Sequence, residues 1–432
     1  MVKVLVIGSG GREHAMVRKL AQDQKRSGRS LELFAAPGNP GIEALATCVA
    51  IGAEDVQGLL HFAKSEGIDL TVVGPEAPLA MGIVDLFEAE GLRIFGPNQK
   101  AAQIEASKAF TRNIAELAGV PSPAYRVFTD HDEALLYLHS LVGPWVIKAD
   151  GLAAGKGVTV TDDLLEAESA LAQIMKDKAF GEAGNQVVIE EFLQGEEISV
   201  LALVDESGFQ LFPAIQDHKQ VGEGDTGPNT GGMGTFSPVP MATKGVMDKV
   251  RDEIFGRMTR QLKAQGISYR GVLFAGLMVK EEQPYLIEFN VRFGDPETQV
   301  GLELLETDLL LAMEAVLDDR ISEVSLDFSS DAAVCVVLAA GGYPWSYHKG
   351  DPITGLDELS GAYALHAGTA KNAAGQMVTS GGRVLGVVAR GAVLEEARAQ
   401  AYHAIEGINF KGKIYRRDIG ARHRGVIMLP IT

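Results

Sequence analysis

The stretch IEFNVRFGDPETQ, residues 287–299, sets an acid, an amide and a guanidinium at alternate positions, Glu288, Asn290 and Arg292. Successive side chains of a strand point to opposite faces, so these three share one face, each about 6–7 Å from the next. Ile287, Phe289, Val291 and Phe293 fall on the other face and call for burial. A half-buried strand of this kind suits a cleft wall better than a solvated edge. A carboxylate and a carboxamide are the hard oxygen donors that Mg²⁺ takes, and Mg²⁺ fills its other positions with water and nucleotide phosphates. Arg292 can grip a phosphate or carboxylate bidentately. Gly294-Asp295 then turns the chain and brings a further carboxylate near.

Four other segments carry possible chemistry. GSGGREH (8–14) lies between an apolar run and a helical pattern. A glycine turn there aims backbone N–H groups and a helix N-terminus at an anion. A dinucleotide fold would need glycine where Glu13 stands, and an acid after the second strand, where the chain reads Ala-Pro-Gly-Asn. A substrate phosphate is the better match, and a tight packing turn is the plainer alternative. KADGLAAGKGV (148–158) fails the P-loop pattern, with three residues between Gly151 and Gly155 and Gly157 after Lys156. It still reads as a flap whose backbone donors can close over phosphates, with Lys148 at its base. Taken alone, it suits a surface hairpin with a solvated lysine equally well. VVIEEFLQGEEISV (187–200) links two apolar strands through Glu190, Glu191, Glu196 and Glu197. A linker of this sort can read an adenine edge with its backbone, although solvated acids explain it as well. DHKQVGEGDTGPNTGGMG (217–234) sets Asp217, His218 and Lys219 before a glycine-rich loop, with no His or Cys spacing for zinc.

The elements that must position these residues follow from periodicity. VKVLVI (2–7), LELFAA (31–36), DLTVVG (69–74) and LRIFG (92–96) read as strands alternating with helical stretches near 12–22, 56–66 and 82–90. Such alternation predicts a parallel sheet ending near Ala102. SKAFTRNIAELAGV (107–120) reads as a helix stopped at Gly119 by Pro121 and Pro123. PWVIKAD (144–150), GVTVT (157–161) and QVVIEEFL (186–193) read as strands around a helix at 164–178, and EISVLALVD (197–205) opens a strand-rich region. AAVCVVLAA (332–340), HAGTA (366–370), GRVLGVVARG (382–391), a helix near 394–406 and KIYRRDIG (413–420) predict an α+β cap.

Composition bounds the rest. At 432 residues, about three domains are expected. With 39 Lys+Arg against 57 Asp+Glu, the net charge of −18 disfavours nonspecific nucleic-acid or membrane binding. Cys48 and Cys335, in apolar surroundings, are expected to be buried free thiols. No leader and no apolar run of membrane-spanning length stands out, which predicts a cytoplasmic protein.

Taken together, GSGGREHA, APGNPG, VVGPEAPL, IFGP, SKAF, IKADGLAAGKGV, VIEEFLQGEE, QDHK, TGPNTGGMG, IEFNVRFGDPETQ, AAGGYP, HAGT and GGRVL resemble the phosphoribosylamine–glycine ligase family of the ATP-grasp superfamily, in order along essentially the whole chain. The resemblance implies an α/β protein with a parallel-sheet N-terminal domain (1–102), a two-part ATP-grasp core (103–122 and 194–326), a flap subdomain (123–193) and a C-terminal α+β domain (327–432). It implies that ATP activates glycine as glycyl phosphate for attack by 5-phosphoribosylamine, with Mg²⁺ or Mn²⁺. Lys108, Lys148, Gly151, Gly155, Lys156 and Gly157 would meet the ATP phosphates, Glu190, Glu191, Phe192 and Leu193 the adenine, and Glu197 the ribose. Glu288 and Asn290 would hold the metal; the strand LFAGLMV lacks the further acid that many relatives carry, leaving the number of ions open. Gly10, Gly11, Glu76, Asp217, Lys219, Thr230, Gly231, Arg292 and Asp295 would form the glycine and phosphoribosylamine sites, with Arg292, Asp295 and Lys148 acting at the reacting groups. A monomer or weak dimer is expected. The alternatives are another ATP-grasp ligase or a carboxylase of purine synthesis, a non-catalytic ATP sensor, and, on fold logic alone, a dinucleotide-dependent oxidoreductase.

Overall fold

The structure, a computed structural model, describes residues 1–153, 157–357, 359–423 and 426–427. Its N-terminal part is a five-stranded parallel sheet whose order across the sheet is Thr47–Cys48, Leu31–Pro37, Val2–Gly8, Leu70–Val73, Ile94–Phe95. Val4, Leu5, Val6 and Ile7 are fully buried, as a strand covered on both faces requires. The first strand is central, so the turn after it opens at the carboxyl edge where the strand order reverses, the usual place for a ligand in such sheets. The helix that follows, Gly11–Ser27, begins one residue before the expected start and runs one turn past its expected end. Its N-terminus is filled from within: the Glu13 carboxylate accepts from Gly10 N at 2.6 Å and from Arg12 Nε at 2.6 Å. Gly8, at φ 124°, and Gly74 leave room for that carboxylate, since a β-carbon at either would collide with it. Glu13 thus stands where a dinucleotide fold needs glycine.

The helix Lys108–Ala118 begins at a Ser107 cap and ends at Gly119, which takes the left-handed conformation (φ 65°) that favours glycine. It packs against an antiparallel four-stranded sheet, Gly208–Leu211, Glu196–Asp205, Gly271–Lys280, Gln283–Asn290. A second antiparallel sheet, Tyr125–Phe128, Val187–Glu191, Trp145–Ala149, Val158–Thr161, has its own core with Leu171, Ile174 and Ile189. Trp145–Ala149 and Val158–Thr161 form a hairpin, with Gly151 and Gly157 lying between its two strands in sequence. The remaining large sheet runs Gln216–Asp217, Gly234–Ser237, Ala332–Ala339, Arg383–Gly391, Ala362–His366. It joins strands from both sides of position 327, and so knits the strand-rich middle of the chain to the C-terminal region.

In the C-terminal region KIYRRDIG forms no strand: only Ile414 bridges, to Ala339, and Arg416 pairs with Asp418 at 2.6 Å. HAGTA is split, one strand ending at His366 and another running Thr369–Lys371. Cys335 is buried, whereas Cys48 is only half-buried; both are free thiols. Among the described residues no helix is long and apolar enough to cross a membrane.

Candidate active site

The strand Gln283–Asn290 does carry Glu288 and Asn290 into a cleft, but its alternation is broken. Its pairing with Gly271–Lys280 shifts at Gly276/Leu277, leaving Ile287 as the extra residue of a bulge. Leu286 and Phe289 are buried, and Ile287, expected on the packed face, lines the cleft beside Glu288. The cause is Arg112, buried in the helix Lys108–Ala118, which donates to the carbonyls of Leu286 (2.8 Å) and Ile287 (2.7 Å). Arg292 lies beyond the strand end, in the bend that follows.

The cleft has a volume of about 440 Å³, within the range of small-molecule sites. On one side Arg112 forks onto Glu190 at 2.6 and 2.7 Å, and Lys148 Nζ meets the same carboxylate at 2.8 Å. Two cations against one anion leave one positive charge at the cleft wall. Burial lowers the Lys148 pKa, opposed by Glu190; burial raises the Glu190 pKa, and Lys148 and Arg112 more than reverse it. Glu190, expected along an adenine linker, is therefore turned inward as an ion-pair residue. Glu191 and Phe192 are exposed at the strand end, and neither they nor Leu193 lines the cleft. Lys108 Nζ donates to Gly151 O at 3.0 Å, and Asp150 accepts from Ser107 Oγ and Ala109 N at 3.1 Å, tying the hairpin base to the helix N-terminus. Gly151 and Gly157 line the cleft, whereas Gly155 and Lys156 lie outside the described residues.

At the centre Lys219 pairs with Glu197 and lies 3.6 Å from Glu288. Burial would raise the Glu288 pKa, but Lys219, Lys148, Lys108 and Arg292 hold it at about 2. Glu197 is thus placed beside Lys219, just outside the lining. Asn290 Oδ1 accepts from Arg292 Nη2 at 3.2 Å. Among the described residues no group of three or more His, Cys, Asp or Glu side chains is arranged to hold a metal. A hard cation here would rely on Glu288 and Asn290 with non-protein oxygens, and the donor chemistry fits that: one ionised, half-exposed carboxylate and one amide oxygen from neighbouring same-face positions.

At the far side three parts of the chain converge. Arg292 pairs with Glu105 at 3.0 Å and Glu76 at 3.3 Å, and Val291 N donates to Glu105 at 2.8 Å. Arg12 Nη1 donates to Phe293 O at 3.1 Å. Arg383, from the C-terminal region, pairs with Asp295 Oδ2 at 3.0 Å and donates to the carbonyls of Asp295 and Gly231. Asp217, Thr230 and Gly231 complete this wall. Gly10 and Gly11 lie behind it: a β-carbon on Gly10 would stand 3.4 Å from Asp295 Oδ2. Arg12, Glu105, Arg112, Glu297 and Arg383 line the cleft without having been singled out in the sequence. Arg12, Glu297 and Arg383 lay inside the motifs quoted above. Arg112 had one signal, a charge within an otherwise apolar stripe with Ile114 and Ala115, and Glu105, after Ile104, had much the same.

The chain matches the phosphoribosylglycinamide synthetase N domain over residues 2–105, the ATP-grasp (A) domain over 106–298 and the C domain over 333–422. It is 49% identical to a phosphoribosylamine–glycine ligase of Pseudomonas aeruginosa, covering 98% of this chain and 100% of that one. It is 47% identical to one of Caldanaerobacter subterraneus subsp. tengcongensis, covering 97% and 100%. The crystal structure of a phosphoribosylamine–glycine ligase from Thermotoga maritima superposes with a TM-score of 0.84 at 34% identity, covering 97% of this chain and 100% of that one. A biotin carboxylase domain from Hydrogenobacter thermophilus shares the fold at a TM-score of 0.72 and 17% identity, over 96% of this chain and 91% of that one. The chain belongs to the phosphoribosylglycinamide synthetase family, the phosphoribosylamine–glycine ligases, and is an ATP-grasp enzyme.

Proposed function

We propose that the cleft joins glycine to 5-phosphoribosylamine at the expense of ATP, through glycyl phosphate, to give glycinamide ribonucleotide for purine synthesis. The observation that carries this reading is the convergence of Lys108, Lys148, Lys219 and Arg292 on Glu288, under a glycine-rich hairpin. A free carboxylate is a poor electrophile, and phosphoryl transfer to it requires positioning and neutralised charge rather than a protein nucleophile. Lys108, Lys148 and the 151–157 hairpin are assigned to the ATP phosphates, Glu191 to Leu193 to the adenine and Glu197 to the ribose. Glu190 becomes the residue that fixes Lys148.

Glu288 and Asn290 would hold a divalent cation, Mg²⁺ or Mn²⁺. When bound, such an ion supplies neutralisation of the phosphate oxygens during transfer. Arg292, Asp295 and Lys148 are assigned to the reacting groups, with Arg292 as the cation that grips a carboxylate or phosphate. Gly10, Gly11, Glu76, Asp217, Lys219, Thr230 and Gly231 are assigned to the two substrates. The acyl phosphate hydrolyses if wet, so the hairpin is expected to close over it and exclude water. The same reading keeps the four-part division at 102, 122, 193 and 326, a cytoplasmic setting, and a monomer or weak dimer.

The test is ADP release by the purified protein with Mg²⁺, glycine and freshly made phosphoribosylamine, each omitted in turn. Release at the full rate is expected only with all of them present. Steady release without glycine would overturn the reading.

A further inference from the structure

We propose that Asp217 and Glu297 together accept the proton that leaves the attacking amine, making them the catalytic base of the ligation step. This rests on the ligase reading above. Seven acids line the cleft: Glu76, Glu105, Glu190, Asp217, Glu288, Asp295 and Glu297. Five of them stand within 4 Å of a lysine or arginine, through Arg292, Arg112, Lys148, Lys219 or Arg383. Among the described residues Asp217 and Glu297 have no such partner.

They belong to one locus. Asp217 ends a short strand, and its Oδ1 accepts from His218 N at 2.8 Å. Glu297 opens the helix Glu297–Leu304, is 4% exposed, and accepts from Ser199 Oγ at 3.2 Å. Gly232 packs between them: a β-carbon there would lie 2.8 Å from Asp217 Oδ1 and press on Pro296, the residue before Glu297.

The charges around the pair come from several elements. Asp217 is faced by Glu297, Lys219, Glu197 and Arg383, and Glu297 by Lys219, Arg292 and Asp295. Burial pushes both pKa values up, Glu297 raises that of Asp217 further and Asp295 that of Glu297, whereas Arg383, Arg12 and Gln299 reverse the effect of burial at Asp295. Neighbouring acids whose pKa values are pushed apart are the arrangement expected where one set holds charge and the other moves a proton.

The step balances. The amine nitrogen bonds to the acyl carbon of glycyl phosphate while the carbon–oxygen bond to phosphate breaks. Phosphate leaves with that electron pair, and one N–H proton passes to the Asp217–Glu297 pair, leaving a neutral amide.

Two reactions separate this role from substrate binding. One is formation of glycine hydroxamate from ATP and glycine with hydroxylamine, a nucleophile that needs no base. The other is ligation to phosphoribosylamine. In Glu297→Gln, which keeps the shape and the Ser199 contact, ligation kcat is expected to fall roughly 10²–10⁴-fold while hydroxamate formation stays within about threefold. The acid limb of the wild-type kcat–pH profile is expected to vanish with it. Asp217 is also assigned to substrate, so Asp217→Asn is read by its pH profile: its ligation kcat should fall and lose the same acid limb, and it serves alone if Glu297→Gln does not fold. In Glu297→Gln, equal losses in both reactions or ligation within about threefold of wild type would overturn the assignment, as would an acid limb that persists in Asp217→Asn. A wild-type protein that forms no hydroxamate from ATP and glycine would instead remove the ligase reading itself.

Discussion

The two ends of the cleft are held by different means. At the end assigned to the nucleotide, Arg112, Lys148 and Glu190 come from one helix and two paired strands, and the two cations share one anion inside a packed wall, leaving one positive charge. At the other end, Arg12, Glu76 and Glu105 come from three helices of the N-terminal region, Arg292 and Asp295 from the exit of a strand, and Arg383 from the C-terminal sheet. The first end is rigid secondary structure presenting charge. The second is a junction, complete only when three parts of the chain have docked. Phosphoryl transfer needs fixed cations, which regular elements supply. Bringing two small substrates together needs groups from several directions, which a junction supplies.

The sharpest way to break this comparison is at Glu288, which faces the end assigned to the nucleotide. Glu288→Lys puts a cation among Lys219, Lys148, Lys108 and Arg292 and removes the carboxylate assigned to the metal. Turnover is expected to fall by at least about 10³-fold, the scale on which charge stabilisation works in such sites. The carboxylate, its pKa held at about 2 by these cations, also stabilises the fold, so the unfolding midpoint should drop as well, and turnover is read where circular dichroism shows the variant folded. Near-normal ADP release by this variant would show that the strand does not serve the triphosphate.

This asymmetry also explains what could be seen in the sequence. The alternation of Glu288 and Asn290 is a local, period-two signal, and the parallel sheet follows from buried runs such as VLVI between helical stretches. The bulge at Ile287 was hidden because its cause, Arg112, lies 174 and 175 residues away from the carbonyls it holds. Glu190 and Glu191 look alike in sequence; only the strand pairing decides that one is buried against Lys148 and the other exposed. Arg383 meets Asp295 across 88 residues, and no local pattern announces a partner at that distance. The sheet that joins Gly234–Ser237 to Ala332–Ala339 was likewise invisible, because neither strand says which edge it will pair with.

Stability should separate the ends next. Glu190→Gln leaves Arg112 and Lys148 charged and buried without their anion, a change that costs about 3–5 kcal/mol when one partner of a buried pair is lost. Denaturant unfolding followed by circular dichroism measures it. Asp295→Asn, the matching change at the junction, is expected to cost less, about 1–3 kcal/mol. Arg383 there keeps its bonds to the carbonyls of Gly231 and Asp295. Equal costs would mean that the junction is as tightly packed as the strand-built end.

The smallest expected effect is a pH dependence confined to the junction. His14 Nδ1 accepts from His366 N at 2.8 Å, which locks the parallel-sheet helix to the C-terminal sheet and requires His14 to be neutral. Burial, then the nearby His366 and Arg18, lower the His14 pKa to about 3; burial lowers that of His366 to about 4. Burial, then Arg416, lowers that of His218, at the same end, to about 4. In the unfolded chain each would titrate near 6.5. Between there and the folded values the unfolded state binds more protons, so stability is complete above about pH 6.5 and falls as pH drops toward 4. The raised carboxyl pKa values of Glu105, Asp217 and Glu297 act in the opposite sense, so a difference between variants is the cleaner measure. His14→Gln retains an acceptor for His366 N and cannot be protonated. Its stability should lose up to about 1.4 kcal/mol less per pH unit below 6.5 than the wild type does. Parallel stability–pH curves for the two proteins would place the acid sensitivity elsewhere and remove the histidine pair as the lock of the junction.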